Sequence, residues 1–318
     1  MKSSPATQLR SISKNALKSG FALFGLEVES KENRQAALPE LYQRLEEALY
    51  AKTTGLSASY DCPLESCVIQ TGFSFSEKKF HPFVEALKRI HNGLEAPVYE
   101  GSFLEHYYHA WTPSDGNEVY AGFGNAPETL HSVPSFTVHA PWMEAEPTAR
   151  QILMERTIAY ENAAADEPDL PPAAGYGLHG PVTRRKGQLE FLRLLETYES
   201  IQGRGFDRTI SKEDVSAIGI ERNGEFRFCI MHGQHRMAAM SALGYRKVPV
   251  NITKVVHFNE IEHWPQVYRG TWTVQQAQDY INHLFDFDSN RWAHQQGLLS
   301  GAKVEETFVE PKLVSQAR

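Results

Sequence analysis

Apolar residues recur at steps of three and four in several stretches, and each such stretch predicts a helix with one face turned to a core. Leu38, Leu41, Leu45 and Leu49 set that spacing across residues 35–51. In "HPFVEALKRIHNG", Pro82 stands near the expected helix start and Gly93 just past its end. Leu189, Leu192, Leu195 and Tyr198 run in threes through "QLEFLRLLETYESIQ", and a further helix is expected over 274–285. Alternation by twos marks strands. "CVIQTGFSFS" alternates, and "VPSFTVHAPW" is the best strand candidate in the aromatic, Gly- and Pro-rich stretch 103–142. "VSAIGIERNGEFRFCIM" predicts two strands around Asn223-Gly224, a pair that tolerates positive φ and so marks a tight hairpin. The second strand runs into "MHGQHR". A helix, "HRMAAMSAL", follows and stops at Gly244, which suits a left-handed cap. "KVPVNI" predicts another short strand.

The pattern breaks at "ENAAADEPDLPP", residues 161–172, an acidic, Ala-rich stretch closing on two prolines and the best candidate for a linker or domain edge. The expected organisation is an unassigned mixed α/β region over 1–165, a second α/β (α+β) domain over 175–290, and a loosely ordered tail over 291–318. A length of 318 residues suits about two domains. The net charge of −7 argues against a nucleic-acid coat protein, while leaving room for a local basic groove. Cys62, Cys67 and Cys229 are too few for a disulfide scaffold, which points to a reducing, cytoplasmic setting. "CPLESC" lacks a second ligand pair at zinc-like spacing, so a turn with two half-buried thiols is expected there. No apolar run approaches the roughly 20 residues that cross a bilayer. Lys2, Arg10, Lys14 and Lys18 precede the first acid, Glu27, and have two readings: a weak peripheral contact with anionic lipid, or a packed N-terminal helix. In "EHYYH", Glu105, His106 and His109 suit aromatic packing better than metal ligation. "EHWPQVYRG" suits a Trp-Pro packing corner by default, or a base-stacking wall.

"MHGQHR" carries the candidate chemistry. A strand that ends at Gly233 and turns into a helix presents unpaired N–H groups, and the helix dipole favours an anion there. Gly233 removes the side chain that blocks close approach. Arg236 offers a planar fork for phosphate oxygens, and His235 can donate a hydrogen bond or share charge. The Walker spacing is absent. Each residue also has an ordinary role: a turn glycine, a helix-start histidine, a surface arginine.

The run "SIQGRGF … AIGIERNGEFRFCIMHGQHRMAAMSALGYRKVPVNI" resembles the ParB/sulfiredoxin superfamily. The shared features are a Ser-Ile-x-x-x-Gly helix end, a β-hairpin, Gly-x-His-Arg, an Ala-Ala helix, Leu-Gly and Val-Pro-Val. The likeness covers roughly residues 180–252; nothing before about 170 takes part. It implies a ParB/sulfiredoxin-like C-terminal domain whose loop, His232, Gly233, Gln234, His235 and Arg236, binds nucleotide phosphates. Sulfiredoxin has a nucleophilic cysteine where this chain has Gln234, and Cys229 lies inside the strand, so that chemistry is not expected. The partition proteins have a more basic loop and a following helix pair; neither is evident, so no specific DNA binding is expected. The free-serine-kinase branch has Asp-Gly-His-His-Arg. His232 stands in its aspartate position, and a neutral histidine is a poor ligand for Mg²⁺. By the same likeness, Glu190 is the nearest match to that branch's catalytic base, with Arg185 and Lys186 in a loop as further phosphate-neutralising groups. The expectation is a phosphotransferase that uses ATP or another nucleotide, with Mg²⁺, on a small molecule or glycan precursor. The alternative is a non-catalytic nucleotide sensor, scaffold or interaction protein.

Overall fold

Asn223 and Gly224 both take positive φ, 54° and 83°, and the chain reverses on them as the dipeptide predicts. The hairpin joins β4 (Val215–Arg222) to β5 (Glu225–His232). It forms the middle of a six-stranded mixed sheet, seen in a computed structural model that describes residues 38–211 and 213–299. The chain divides after Pro39, and every element below lies in the unit beginning at Glu40.

Four more strands complete the sheet: β1 (Glu40–Tyr42), β2 (Ala58–Pro63), β3 (Cys67–Val68) and β6 (Lys247–His257). Their order is β1-β2-β6-β4-β5-β3. Pairing alternates between parallel (β1 with β2, β6 with β4, β5 with β3) and antiparallel (β2 with β6, β4 with β5). The sheet curls strongly. β2 and β3 stand four places apart in that order, about 19 Å in a flat sheet, yet three residues join them. Tyr60 of β2 brings its ring 5.6 Å from that of Phe228 on β5.

Alternation along the strands sorts their side chains onto two cores. Phe228 and Ile230 join Val215, Ala217, Val248, Val250 and Ile252 on one face. Cys229 joins Val68, Ile220 and Val256 on the other. Thr253 is an extra residue in β6: Ile252 pairs with Ala217 and Lys254 with Ile218. This bulge switches Val256 to the opposite face from Ile252, and Thr253 Oγ1 donates to the Ala217 carbonyl at 3.0 Å.

Three helices pack on the first face: α2 (Pro82–His91), α5 (Arg184–Arg204) and α7 (Gln234–Ala242). The others are α1 (Leu45–Thr53), α3 (Phe103–Ala110), α4 (Pro147–Ala164), α6 (Arg208–Ser211), α8 (Pro265–Tyr268), α9 (Val274–Asp286) and α10 (Ser289–Gln295). The second core gathers Trp142, Trp272, Tyr280 and Leu284. No helix among the described residues is long and apolar enough to cross a membrane.

Several elements depart from the periodicity. The helix expected over 35–51 begins at Leu45, behind strand β1. Pro39 lacks an N–H and turns its predecessor away from helical geometry, so the leucine spacing is interrupted. "CVIQTGFSFS" keeps two residues of strand and doubles back at Gly72, leaving one bridge between Val68 and Ser74. "VPSFTVHAPW" forms no strand; Asp115 bridges Pro134, and Val138, His139 and Trp142 are buried without a ladder. The 161–172 stretch begins as the last turn of α4, and strands from both sides of it share one sheet. The segment from 291, expected to be loose, continues α10 with Trp292, Ala293 and Leu298 buried. Residues 300–318 and the basic N-terminal segment, with its two readings of lipid contact or terminal helix, lie outside the described residues.

Candidate functional site

β5 delivers its last residue, His232, exposed at the strand end. Gly233 then takes φ 91° and ψ 24°, a left-handed conformation that turns the chain into α7 within one residue. An added Cβ there meets Arg236 Nη2 at 3.0 Å and Val215 Cγ2 at 3.1 Å, so the position is tight as well as left-handed. No side chain among the described residues caps α7. Met237 N donates back to the Gly233 carbonyl, and the N–H groups of Gln234, His235 and Arg236 ahead of it have no partner four residues back within the helix, as at any helix start.

Arg236 lies beside that turn. Its Nη1 donates to the Glu213 carbonyl at 2.7 Å and its Nη2 is 3.6 Å from Glu213 Oε1. Burial pulls its pKa down, against the opposing pull of Glu213 and Asp214. Arg236 is also among the residues lining an open cavity of about 310 Å³, with Thr197, Ser200, Arg204, Phe206 and Asp207. Gln234 buries its side-chain oxygen with no hydrogen-bond partner among the described residues.

His235 is held from behind. Its Nε2 lies 3.4 Å from Glu190 Oε2, and its ring centre is 5.4 Å from that of Phe83. Glu190 is 4% exposed. Its Oε1 accepts from Lys186 Nζ at 2.6 Å and from Arg193 Nη1 at 3.1 Å. Lys186 is 1% exposed and also donates to Asn162 Oδ1 at 2.7 Å. Asn162 in turn donates to the Leu170 carbonyl. Burial alone raises the Glu190 pKa; the hydrogen bond and charge of His235, with Lys186 and Arg193, outweigh it and hold the carboxyl well below its ordinary value.

Local structure explains the cluster. Thr183 Oγ1 accepts from Lys186 N and caps α5. Lys186, Glu190 and Arg193 follow at helical steps of four and three, which puts them on one face. Gly177 lies against the Glu190 carboxyl, where a Cβ would stand 2.8 Å from Cδ. Backbone thus replaces water on that side. The Tyr108 hydroxyl fixes this backbone by donating to the Gly177 carbonyl at 2.6 Å.

Of the loop residues, His235 joins Glu190 and Lys186 in one connected cluster, while Arg236 turns to Glu213 and Lys186 is buried. The basic group expected in a loop is the first turn of α5. Arg185 points elsewhere and pairs with Glu167, and Arg184 pairs with Glu100. Asn162, Arg193 and Glu213 complete the surroundings without having been singled out in the sequence. Asn162 lies in the last turn of α4, inside the stretch read as a linker edge, and only Arg193 had a local signal, its spacing from Glu190.

The other clusters resolve into packing. Tyr107 and Tyr108 bury their rings on α3 while His106 and His109 face solvent. Trp264 packs edge-on to Trp142, with Tyr268 exposed beside it. Among the described residues no group of three His, Cys, Asp or Glu side chains is placed to hold a metal ion. No family model, curated protein or solved structure matches this chain.

Proposed function

We propose that the chain binds ATP or another nucleotide at the first turn of α7 and transfers a phosphoryl group to a small molecule or glycan precursor. The carrying observation is the uncapped α7 N-terminus behind left-handed Gly233, with Arg236 at its side. Phosphate oxygens accept hydrogen bonds from the first-turn N–H groups, and Arg236 exchanges its contact with Glu213 for them. The cavity beyond Arg236 receives the remainder of the nucleotide. The resemblance to the ParB/sulfiredoxin superfamily supports the same reading, and Gln234 leaves no thiol for sulfiredoxin chemistry.

Phosphoryl transfer needs positioning and charge neutralisation more than covalent chemistry. Glu190 is buried and engaged by three cations or donors, so its part is to hold His235 rather than to touch substrate. His235, with its side chain 19% exposed and Nε2 turned to Glu190, offers Nδ1 to a phosphate or to an acceptor hydroxyl. Mg²⁺ enters with the nucleotide, its oxygen ligands coming chiefly from phosphates and water. Three free cysteines suit a cytoplasmic setting.

One observation favours a second reading, a nucleotide sensor without turnover: His232 stands where the kinase branch has an acid. Calorimetry with ATP, ADP and CTP, with and without Mg²⁺, tests binding, and a metabolite panel tests consumption. Binding is expected, with Arg236→Ala weakening it at least about tenfold, as loss of a charge-assisted contact implies. Binding without consumption selects the sensor. A folded protein that binds none of the three defeats both readings.

A further inference from the structure

The sulfurs of Cys62 and Cys67 lie 3.5 Å apart, and both residues are 0% exposed. Both thiols also reach the Pro63 carbonyl at 3.5 Å, so they sit together on one side of the short turn Leu64–Ser66. Cys62 belongs to β2 and Cys67 opens β3, the two strands that meet where the curled sheet returns on itself. Cys229 is kept apart from them. Cys67 pairs with Phe228 and faces the first core, whereas Val68 pairs with Cys229 and both face the second.

We propose that Cys62 and Cys67 form a reversible intramolecular disulfide that staples this seam of the sheet, with Cys229 taking no part. A sulfur–sulfur bond is about 2.05 Å long, so the two side chains need to close by only about 1.5 Å. The reaction partner is a low-molecular-weight disulfide. The thiolate of one cysteine attacks it, forming a mixed disulfide and releasing one small thiol. The second cysteine then attacks the protein-bound sulfur and releases the other small thiol. Two protein thiols are oxidised, one disulfide is reduced to two thiols, and the two protons pass to the departing thiolates. Burial, then the hydrogen bond with Cys67, raises the Cys62 pKa well above its ordinary value. Cys62 is therefore protonated at neutral pH, and exchange waits on opening of the Leu64–Ser66 turn, where Glu65 already faces solvent.

The test equilibrates the full-length folded chain in mixtures of oxidised and reduced glutathione. Acid quenching, alkylation after denaturation and peptide mass spectrometry then follow each cysteine. The expected product lacks two hydrogen atoms in the segment holding Cys62 and Cys67, and those two cysteines escape alkylation. Cys229 is alkylated at every ratio. Cys62→Ser and Cys67→Ser each abolish the product, and the oxidised wild-type chain melts higher than the reduced one. The proposal is overturned if both cysteines remain alkylatable at a ratio that oxidises the urea-unfolded chain. A disulfide that includes Cys229 or a second chain overturns it too, as does an oxidised form that melts below the reduced form.

Discussion

Lys186 carries its ammonium into an interior where Asn162 and Glu190 receive it, and that arrangement sets what a single substitution does. A buried charge is tolerated only while its partner remains, and removing one partner of a buried pair costs about 3–5 kcal/mol. Glu190→Leu is expected to fall in that range, because it strands Lys186 and leaves Arg193 and His235 without their carboxylate. Lys186→Met should cost less, since Glu190 keeps Arg193 and His235. The double variant should recover much of the Glu190→Leu loss, because no orphaned ammonium remains. Urea unfolding of the four chains, taken as a cycle, measures the coupling. Losses below about 1 kcal/mol for both single variants would contradict a buried network of this kind. The sequence sets Glu190 four positions after Lys186, but the loop read through Lys186 hid the helix face that carries both. The sequence held no sign of Asn162, which lies 24 positions before Lys186 and meets it only through folding.

At the scale of elements, what could be read ahead of the structure was whatever local chemistry decides. Asn223-Gly224, Gly233 and Gly244 punctuate the hairpin and α7 by backbone conformation, and each takes the positive φ its place requires. β1 and the stretch 103–142 were not legible. β1 is strand because it lies beside β2, and the aromatic stretch is held by burial of Trp111, Tyr120 and Trp142 rather than by a repeating pattern. The start of α5 falls between these cases. Its glycines and prolines suggested a loop through Lys186, yet Thr183 caps the helix by accepting from Lys186 N at 3.3 Å. That cap fixes the turn from which the Lys186 side chain departs. Thr183→Ala is expected to destabilise the chain by about 1 kcal/mol, as for other N-caps, while Thr183→Ser stays close to the parent. Thermal and urea melts compare the three chains. An unchanged midpoint for Thr183→Ala would mean that packing of α5, not its cap, sets the helix start.

Across the whole described fold, the two cores on the curled sheet enclose several histidines, and these govern its response to acid. Burial lowers the pKa of His81 to about 3, and those of His139 and His283 to about 4. His139 illustrates why. Its Nε2 donates to the Ala145 carbonyl at 2.9 Å while its Nδ1 accepts from Trp272 Nε1 at 3.3 Å, so the neutral ring satisfies both neighbours and a second ring proton would break the contact with Trp272. In the unfolded chain each histidine titrates near 6.5. As pH falls from about 6.5 towards 4, the unfolded chain therefore takes up protons that the folded chain refuses, and stability declines. Each such histidine contributes up to about 1.4 kcal/mol per pH unit in this window. Glu190 acts lower down: its pKa is depressed, so its contribution is complete above about 4.3, the ordinary glutamate value, and is lost as pH falls below that. Unfolding free energies from urea titrations at pH 7, 6 and 5 should thus drop steeply before any carboxylate titrates. His139→Gln should flatten that slope by about one proton, because one refusing group is gone. A free energy that stays level from pH 7 to about 4.5 and falls only in the carboxylate range would show that these rings accept protons without cost to the fold.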